Sequence, residues 1–118
     1  MNKKVWQKSN EYIQFINQKI EPSQRASSEI GNMYTASIFM ALLSALQVSF
    51  DENEELFDQK IGFLAYGSGS KSKVFAGKIS NSWKEIVEKW NLFENLKKRT
   101  SIDFETYEKL HKKEHKQA

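Results

Sequence analysis

The chain has 118 residues, of which 39% are hydrophobic, a formal net charge of +3 and no cysteine. This length suits one domain with a single hydrophobic core, and the three Trp, four Tyr and eight Phe favour a globular protein over a disordered one. Without cysteine, disulfides, thiolate metal sites and a cysteine nucleophile are excluded within these 118 residues.

The charge distribution and the apolar runs give expectations about location and partners. Residues 1–4 lack the apolar segment of a signal peptide, and the apolar run 38–48 is shorter than the about 20 residues that cross a bilayer. We therefore expect a soluble, cytoplasmic protein with no membrane partner. The charged tail, residues 106–118, has one aromatic residue, Tyr107, and no recognised nucleic-acid module, so we expect solvent rather than nucleic acid around it.

The first predicted element is a helix over residues 5–20. Apolar side chains recur at helical spacing, among them Tyr12, Ile13, Ile16 and Ile20. Pro22 is expected to end this helix, because a proline disfavours helical backbone in the residue before it. The polar residues 23–30 are accordingly predicted to form a loop.

A second helix is predicted over residues 35–48, and it is apolar on almost every face. Such a helix needs neighbours on all sides. The rest of this chain offers too few elements to surround it, which indicates that a partner is missing.

An acidic connection over residues 50–59 leads to a predicted strand pair. The continuous apolar run 61–65 is typical of a strand buried on both faces. The turn 67–70 and the apolar residues that follow it predict a returning strand, in which Gly77 marks a bulge or a close backbone approach.

Two helices are predicted after the strands. Ser82 and Glu85 have the spacing of a capping box before a helical apolar pattern over residues 83–97, and Asp103 is expected to cap a last helix. Only two strands are predicted, and an isolated strand pair is marginally stable in water. The chain is therefore predicted to be one part of a larger α/β sheet.

Two glycine-containing turns are the candidate functional segments. The first stretch is Gly-Asn-Met-Tyr-Thr-Ala-Ser at 31–37, and the second is Tyr-Gly-Ser-Gly-Ser at 66–70. Glycine lets backbone N–H groups approach a ligand closely, so the two turns together predict one binding site. Taken singly, each is more often an ordinary turn. Residues 70–73, Ser-Lys-Ser-Lys, lack phosphate-loop spacing and are expected to be solvated.

Both motifs, in this order and with the long apolar helix between them, resemble the C-terminal part of hydroxymethylglutaryl-CoA synthase. The resemblance covers roughly residues 5–110 and includes the Glu-Pro-Ser segment at 21–23 and an Arg-Thr-Ser-Ile stretch at 99–102. It implies an α/β fold that is the last part of a thiolase-like fold, with helices on a partial sheet that ends in an antiparallel strand pair. Residues 1–118 would be incomplete as a stand-alone domain.

The resemblance also implies a chemistry. In that family a cysteine is acetylated by acetyl-CoA, a glutamate removes a methyl proton, and the carbanion attacks acetoacetyl-CoA near a histidine. None of these three residues has a match here, and His111 and His115 lie in the charged tail. The resemblance therefore implies an acyltransferase as the complete protein and an inactive isolated chain. No cofactor is expected, since both CoA thioesters are substrates.

Two positions carry the family's site roles most directly. Asn32 matches an asparagine that binds the acetoacetyl thioester, and Ser68 matches a catalytic serine whose backbone N–H completes an oxyanion hole. The full set of substrate-binding positions that the resemblance implies is Asn32, Tyr34, Thr35, Tyr66, Gly67, Ser68 and Gly69.

The expected partners are the missing N-terminal portion of the synthase, the CoA thioesters and a second copy in a homodimer, as is usual for thiolase folds. A different hypothesis is a non-catalytic interaction module or split subunit that docks through its apolar helix. The complete enzyme could serve isoprenoid synthesis or β-branching of a carrier-bound polyketide. Met-Tyr-Thr after Gly-Asn favours the CoA-using kind.

Overall fold

The computed structural model describes residues 3–6, 9–67 and 69–112. They form an α/β arrangement of helices and one antiparallel strand pair, as predicted. The elements are α1 (Lys3–Trp6), α2 (Asn10–Phe15), a π-helical segment (Ile16–Ile20), α3 (Glu21–Ile30), a 3-10 turn (Tyr34–Ala36), α4 (Ser37–Asp51), β1 (Lys60–Gly67), β2 (Lys71–Lys78), α5 (Trp83–Trp90), α6 (Leu92–Lys97) and α7 (Phe104–His111).

The prediction that Pro22 ends a helix before a loop is wrong. Helical backbone continues from α2 through the π-helical segment into α3, and Pro22 lies in the first turn of α3. A proline there removes no needed N–H donor. The wider turn before it, in which the Glu21 N–H donates to the Ile16 carbonyl, leaves room for the proline ring.

Helix α4 is the central element, and it packs against α3, α5 and α6. Two of its polar side chains are buried and hydrogen-bonded. The Ser44 hydroxyl accepts from the Ala26 N–H at 3.1 Å and donates to the Pro22 carbonyl at 2.6 Å, which holds α3 against α4. Gln47 accepts from the Leu92 N–H at 2.9 Å, which fixes the start of α6.

Strands β1 and β2 pair in one unbroken register, from Lys60 opposite Lys78 to Gly67 opposite Lys71. Gly77 therefore marks no bulge; a Cβ there would lie 3.6 Å from the Phe63 ring, in ordinary contact. Ile61, Phe63 and Ala65 are partly covered, whereas the opposite face is exposed. The prediction that β1 is buried on both faces is wrong within this chain.

The core lies between α4, α5 and the start of the hairpin. Its buried members are Leu46, Ile79, Trp83 and Val87. Several partly buried hydrophobic residues pack against these four: Leu42, Phe50, Leu56, Ile61 and Trp90.

Helix ends after the hairpin differ in part from prediction. Ser82 precedes α5, but its side chain caps no helix N–H, so the capping box does not form. Asn91, at φ 41°, divides the predicted helix 83–97 into α5 and α6. Asp103 caps α7 as predicted, accepting from the Thr106 N–H at 2.8 Å, and this bond lowers the pKa of its carboxyl.

The fold is extended. The Cα radius of gyration is 18.2 Å, against about 13–14 Å for a compact domain of this length. The helical run Tyr34–Asp51 is long and apolar enough, by length and composition alone, to cross a membrane, although a core helix of a soluble protein meets the same criterion. We expected the apolar run 38–48 to be too short for a bilayer. The helix that contains this run is longer, with 18 residues, so its length does not support that expectation.

Candidate functional site

The first candidate segment begins where α3 ends. Gly31 has φ 92° and ψ −166°, a backbone region that residues with a side chain rarely adopt, and its N–H donates to the Ser27 carbonyl at 2.8 Å. The glycine therefore ends α3 and directs the chain into an exposed loop.

Asn32 organises that loop through its side chain. Its Oδ1 accepts from the Tyr34 N–H at 2.6 Å, the local pattern that favours asparagine in turns. Tyr34 has φ 52°, unusual for an aromatic residue, and is 87% exposed. The Ala36 N–H then donates to the Met33 carbonyl at 3.1 Å, which closes the 3-10 turn.

Ser37 also belongs to this loop, although sequence reasoning gave it no role. Its hydroxyl accepts from the Met33 N–H at 3.0 Å. Ser37 is the first residue of α4, and its hydroxyl reaches back to the loop, whereas a capping serine accepts from N–H groups that follow it. The capping pattern in the sequence therefore does not predict this bond.

The second candidate segment is the far end of the hairpin. Gly67 pairs with Lys71, and Gly69 and Ser70 follow at φ 92° and 65°. Tyr66 is 79% exposed. Ser68 lies outside the described residues, so its predicted role stays a prediction.

The end of the first segment lies beside strand β1. Leu42 and Leu46 of α4 line one groove together with Ile61 and Phe63 of β1, so the helix and the strand are neighbours. The 3-10 turn, which follows Asn32, also has Cα atoms within 8 Å of β1. The turn that carries Tyr34 and Thr35 is therefore next to the strand that leads into the second segment.

Both candidate segments carry exposed polar side chains. These side chains are Asn32, Tyr34, Thr35 and Tyr66, each of which can donate and accept hydrogen bonds. The chain has no cysteine, and His111 lies on α7, stacked on Tyr107 with ring centroids 5.9 Å apart. Among the described residues, no group of three His, Cys, Asp or Glu side chains could hold a metal ion.

Two concave regions lie elsewhere. An apolar groove of about 190 Å³ runs between the hairpin and α5, lined by Ile61, Phe63 and Ile86 among others. A polar cleft of about 540 Å³ lies between α3, α4 and α6, with Arg25 over the Phe93 ring. Neither includes Asn32 or Tyr66, and both of these side chains are exposed in this chain.

Comparison with known proteins identifies relatives of one kind. The chain is 32% identical over 103 residues to the hydroxymethylglutaryl-CoA synthase of Haloferax volcanii, covering 87% of this chain and 23% of that protein. It is 36% identical over 93 residues to hydroxymethylglutaryl-CoA synthase erg13A of Aspergillus fumigatus, covering 79% and 20%. The chain thus spans about a fifth of the length of these relatives.

The solved structures that resemble this chain are also HMG synthases. The crystal structure of the curacin biosynthetic pathway HMG synthase superposes with a TM-score of 0.67 at 26% identity, over 87% of this chain and 25% of that one. The same synthase in complex with apo donor-ACP gives 0.68 at 25% identity, over 87% and 24%.

The profile of one family matches the whole sequence. Its description is hydroxymethylglutaryl-coenzyme A synthase C terminal, and the match runs over residues 1–118. Together with the relatives and the superposed structures, this match shows that the chain belongs to the hydroxymethylglutaryl-CoA synthase C-terminal family.

Proposed function

We propose that this chain supplies part of the acetoacetyl pocket and of the oxyanion hole of a hydroxymethylglutaryl-CoA synthase. The complete protein condenses acetyl-CoA with acetoacetyl-CoA through an acetyl-cysteine. The nucleophile, the general base and the histidine come from the portion that precedes this segment in the family. The isolated chain is therefore inactive.

The observation that carries this proposal is the position of the two motifs. The 3-10 turn that follows Asn32 lies beside β1, the strand that leads into the Tyr66–Gly67 turn, and this supports a single pocket built from both motifs. Asn32 donates to the acetoacetyl thioester, because its Nδ2 remains available once Oδ1 is bonded to Tyr34. The backbone N–H of Ser68 stabilises the developing oxyanion, a contribution of about 3 kcal/mol in comparable sites.

We further propose that the complete enzyme uses CoA thioesters rather than carrier-bound acyl groups. Relatives named as hydroxymethylglutaryl-CoA synthases are 32% and 36% identical to this chain. The curacin pathway synthase, solved with donor-ACP, is 25% identical. The complete enzyme then acts in the cytoplasm as a homodimer and supplies isoprenoid precursor synthesis.

The test is reconstitution. The 118-residue chain is co-expressed with the upstream portion of the Haloferax volcanii relative, and acetoacetyl-CoA consumption that depends on acetyl-CoA is assayed. Turnover in the complex but in neither part alone is the expected result. Asn32→Ala should lower kcat/KM for acetoacetyl-CoA about tenfold or more, since a buried partner loses a hydrogen bond. Asn81→Ala, which removes an exposed asparagine side chain outside both motifs, is the matched control.

A second candidate is a non-catalytic module that docks on another protein. The observation in its favour is the exposed apolar surface of the hairpin, where Leu64 and Val74 are 79% and 75% exposed. A stable, folded complex that shows no turnover would favour this candidate and contradict the synthase assignment.

A further inference from the structure

We propose that Ser37 is a positioning residue, which holds the Asn32 loop so that the Asn32 amide presents its NH2 group to the substrate. This inference rests on the proposed function, because it assigns Ser37 an effect on acetoacetyl binding through Asn32. In this proposal Ser37 acts through Asn32 and not directly on the substrate.

The first step of the argument concerns the orientation of the Asn32 side chain. Its partner within the loop is the Tyr34 N–H, at 2.6 Å. That group is a donor, so the atom facing it is the oxygen, and the two amide hydrogens point away. Asn32 is exposed in this chain, which leaves the NH2 group free to meet a carbonyl oxygen of a substrate.

The second step concerns the stability of the loop. Tyr34 has a positive φ of 52° and is 87% exposed, so the packing of its side chain in this chain does not hold its backbone in place. A backbone conformation of this kind persists only where several surrounding contacts hold it in place. The bond from the Asn32 side chain to Tyr34 lies within the loop and cannot fix the loop against the rest of the protein.

The third step identifies what fixes it. The Met33 N–H donates to the Ser37 hydroxyl at 3.0 Å. Ser37 is the first residue of α4, and that helix is held to α3 through Ser44. The Ser37 hydroxyl thus ties the residue between Asn32 and Tyr34 to the central helix.

The experiment compares Ser37→Ala with Ser37→Thr, which keeps the hydroxyl, in the complex of this chain with the upstream portion of the Haloferax volcanii relative. Ser49→Ala, at the other end of α4, is the matched control. Two reactions are followed: transfer of the acetyl group from acetyl-CoA to the enzyme, and condensation with acetoacetyl-CoA. In the 118-residue chain alone, hydrogen exchange of the Met33 amide is measured by NMR.

Ser37→Ala should raise the KM for acetoacetyl-CoA and lower kcat/KM about tenfold, the effect of one lost hydrogen bond. Enzyme acetylation should stay unchanged, and Ser37→Thr should restore condensation. The Met33 amide should exchange faster in Ser37→Ala than in Ser37→Thr. Equal losses in acetylation and condensation, or no rescue by threonine, would overturn the inference.

Failure of the proposed function has a different signature. If the unsubstituted complex shows no condensation, the synthase assignment fails, while Met33 exchange still tests the bond to Ser37. If the unsubstituted complex is active and Ser37→Ala matches it in every constant, the positioning role alone is contradicted.

Discussion

The hydroxyl of Ser44 links two helices through a single atom. It is fully buried, and it serves both the Ala26 N–H and the Pro22 carbonyl. We expect Ser44→Ala to lower the free energy of unfolding by about 1–3 kcal/mol, because a buried N–H and a partly buried carbonyl lose their partner. Urea unfolding of the 118-residue chain measures this change.

Ser49→Ala provides the comparison on the same helix. The Ser49 hydroxyl donates to the Glu54 carboxylate in an exposed position, so its removal should change the free energy of unfolding by less than about 0.5 kcal/mol. Equal effects of the two substitutions would show that the shared hydroxyl of Ser44 has no special structural role.

The lowered pKa of the Glu55 carboxyl predicts how the stability of the chain changes in acid. Its pKa falls from 4.5 to about 2, chiefly through the hydrogen bond from Lys84, and then through bonds from the Phe57 N–H and the Trp83 indole. A lowered pKa gives stability that is present above pH 4.5 and is lost as the pH falls from 4.5 towards 2.

Glu55→Gln should therefore flatten the fall of the melting temperature between pH 4.5 and 2. Glu88→Gln, which also removes one exposed carboxylate, is the control. Added salt should weaken the effect, since the ion pair with Lys84 is exposed. Identical pH profiles for the parent chain and Glu55→Gln would refute the assignment.

At the scale of the elements, helix α5 packs against α4 through one apolar face. Val87 is fully buried, whereas its neighbour Ile86 is 43% exposed beside the apolar groove. Val87→Ala should lower the free energy of unfolding by about 2 kcal/mol, through lost apolar burial and the cavity that remains. Ile86→Ala should cost less than half as much in the isolated chain. Thermal and urea unfolding of both variants provide the measurement.

The sequence predicted the elements that depend on local pattern. The apolar helix, the returning strand and the Asp103 cap are confirmed, since periodicity and cap chemistry decide them. Residues 23–30 were missed because their helix depends on a tertiary contact, from Ser44 across 18 and 22 positions. The coverage of β1 was overestimated because a continuous apolar run cannot tell which faces this chain itself covers.

For the candidate site, the sequence predicted which segments to consider but not their detailed geometry. The glycine motifs indicated both turns, and the resemblance indicated which residues to consider. The sequence could not show that Tyr34 adopts a positive φ or that Ser37 holds Met33, because both depend on how the loop meets α4.

At the scale of the whole molecule, exposed large apolar side chains occur on most of the described elements, and two groups of them share one face of an element. Leu64, Tyr66 and Val74 lie on the face of the hairpin that points away from α4, and each is at least 75% exposed. Phe104, Tyr107 and Leu110 form a further exposed stripe on α7. Such continuous apolar surfaces are typical of interfaces.

Leu64→Glu tests whether the hairpin face is buried in the complete synthase. In the isolated chain the substitution should change the free energy of unfolding by less than about 0.5 kcal/mol, because the side chain is already in water. In the complex with the upstream portion it should prevent assembly or reduce it about tenfold or more, since an unpaired carboxylate would be buried. Co-purification of the two parts measures assembly, and Gln24→Glu, on the exposed surface of α3, adds the same charge as a control. If Leu64→Glu assembles as well as Gln24→Glu, this face stays in water in the complete protein, and the interface with the upstream portion lies elsewhere.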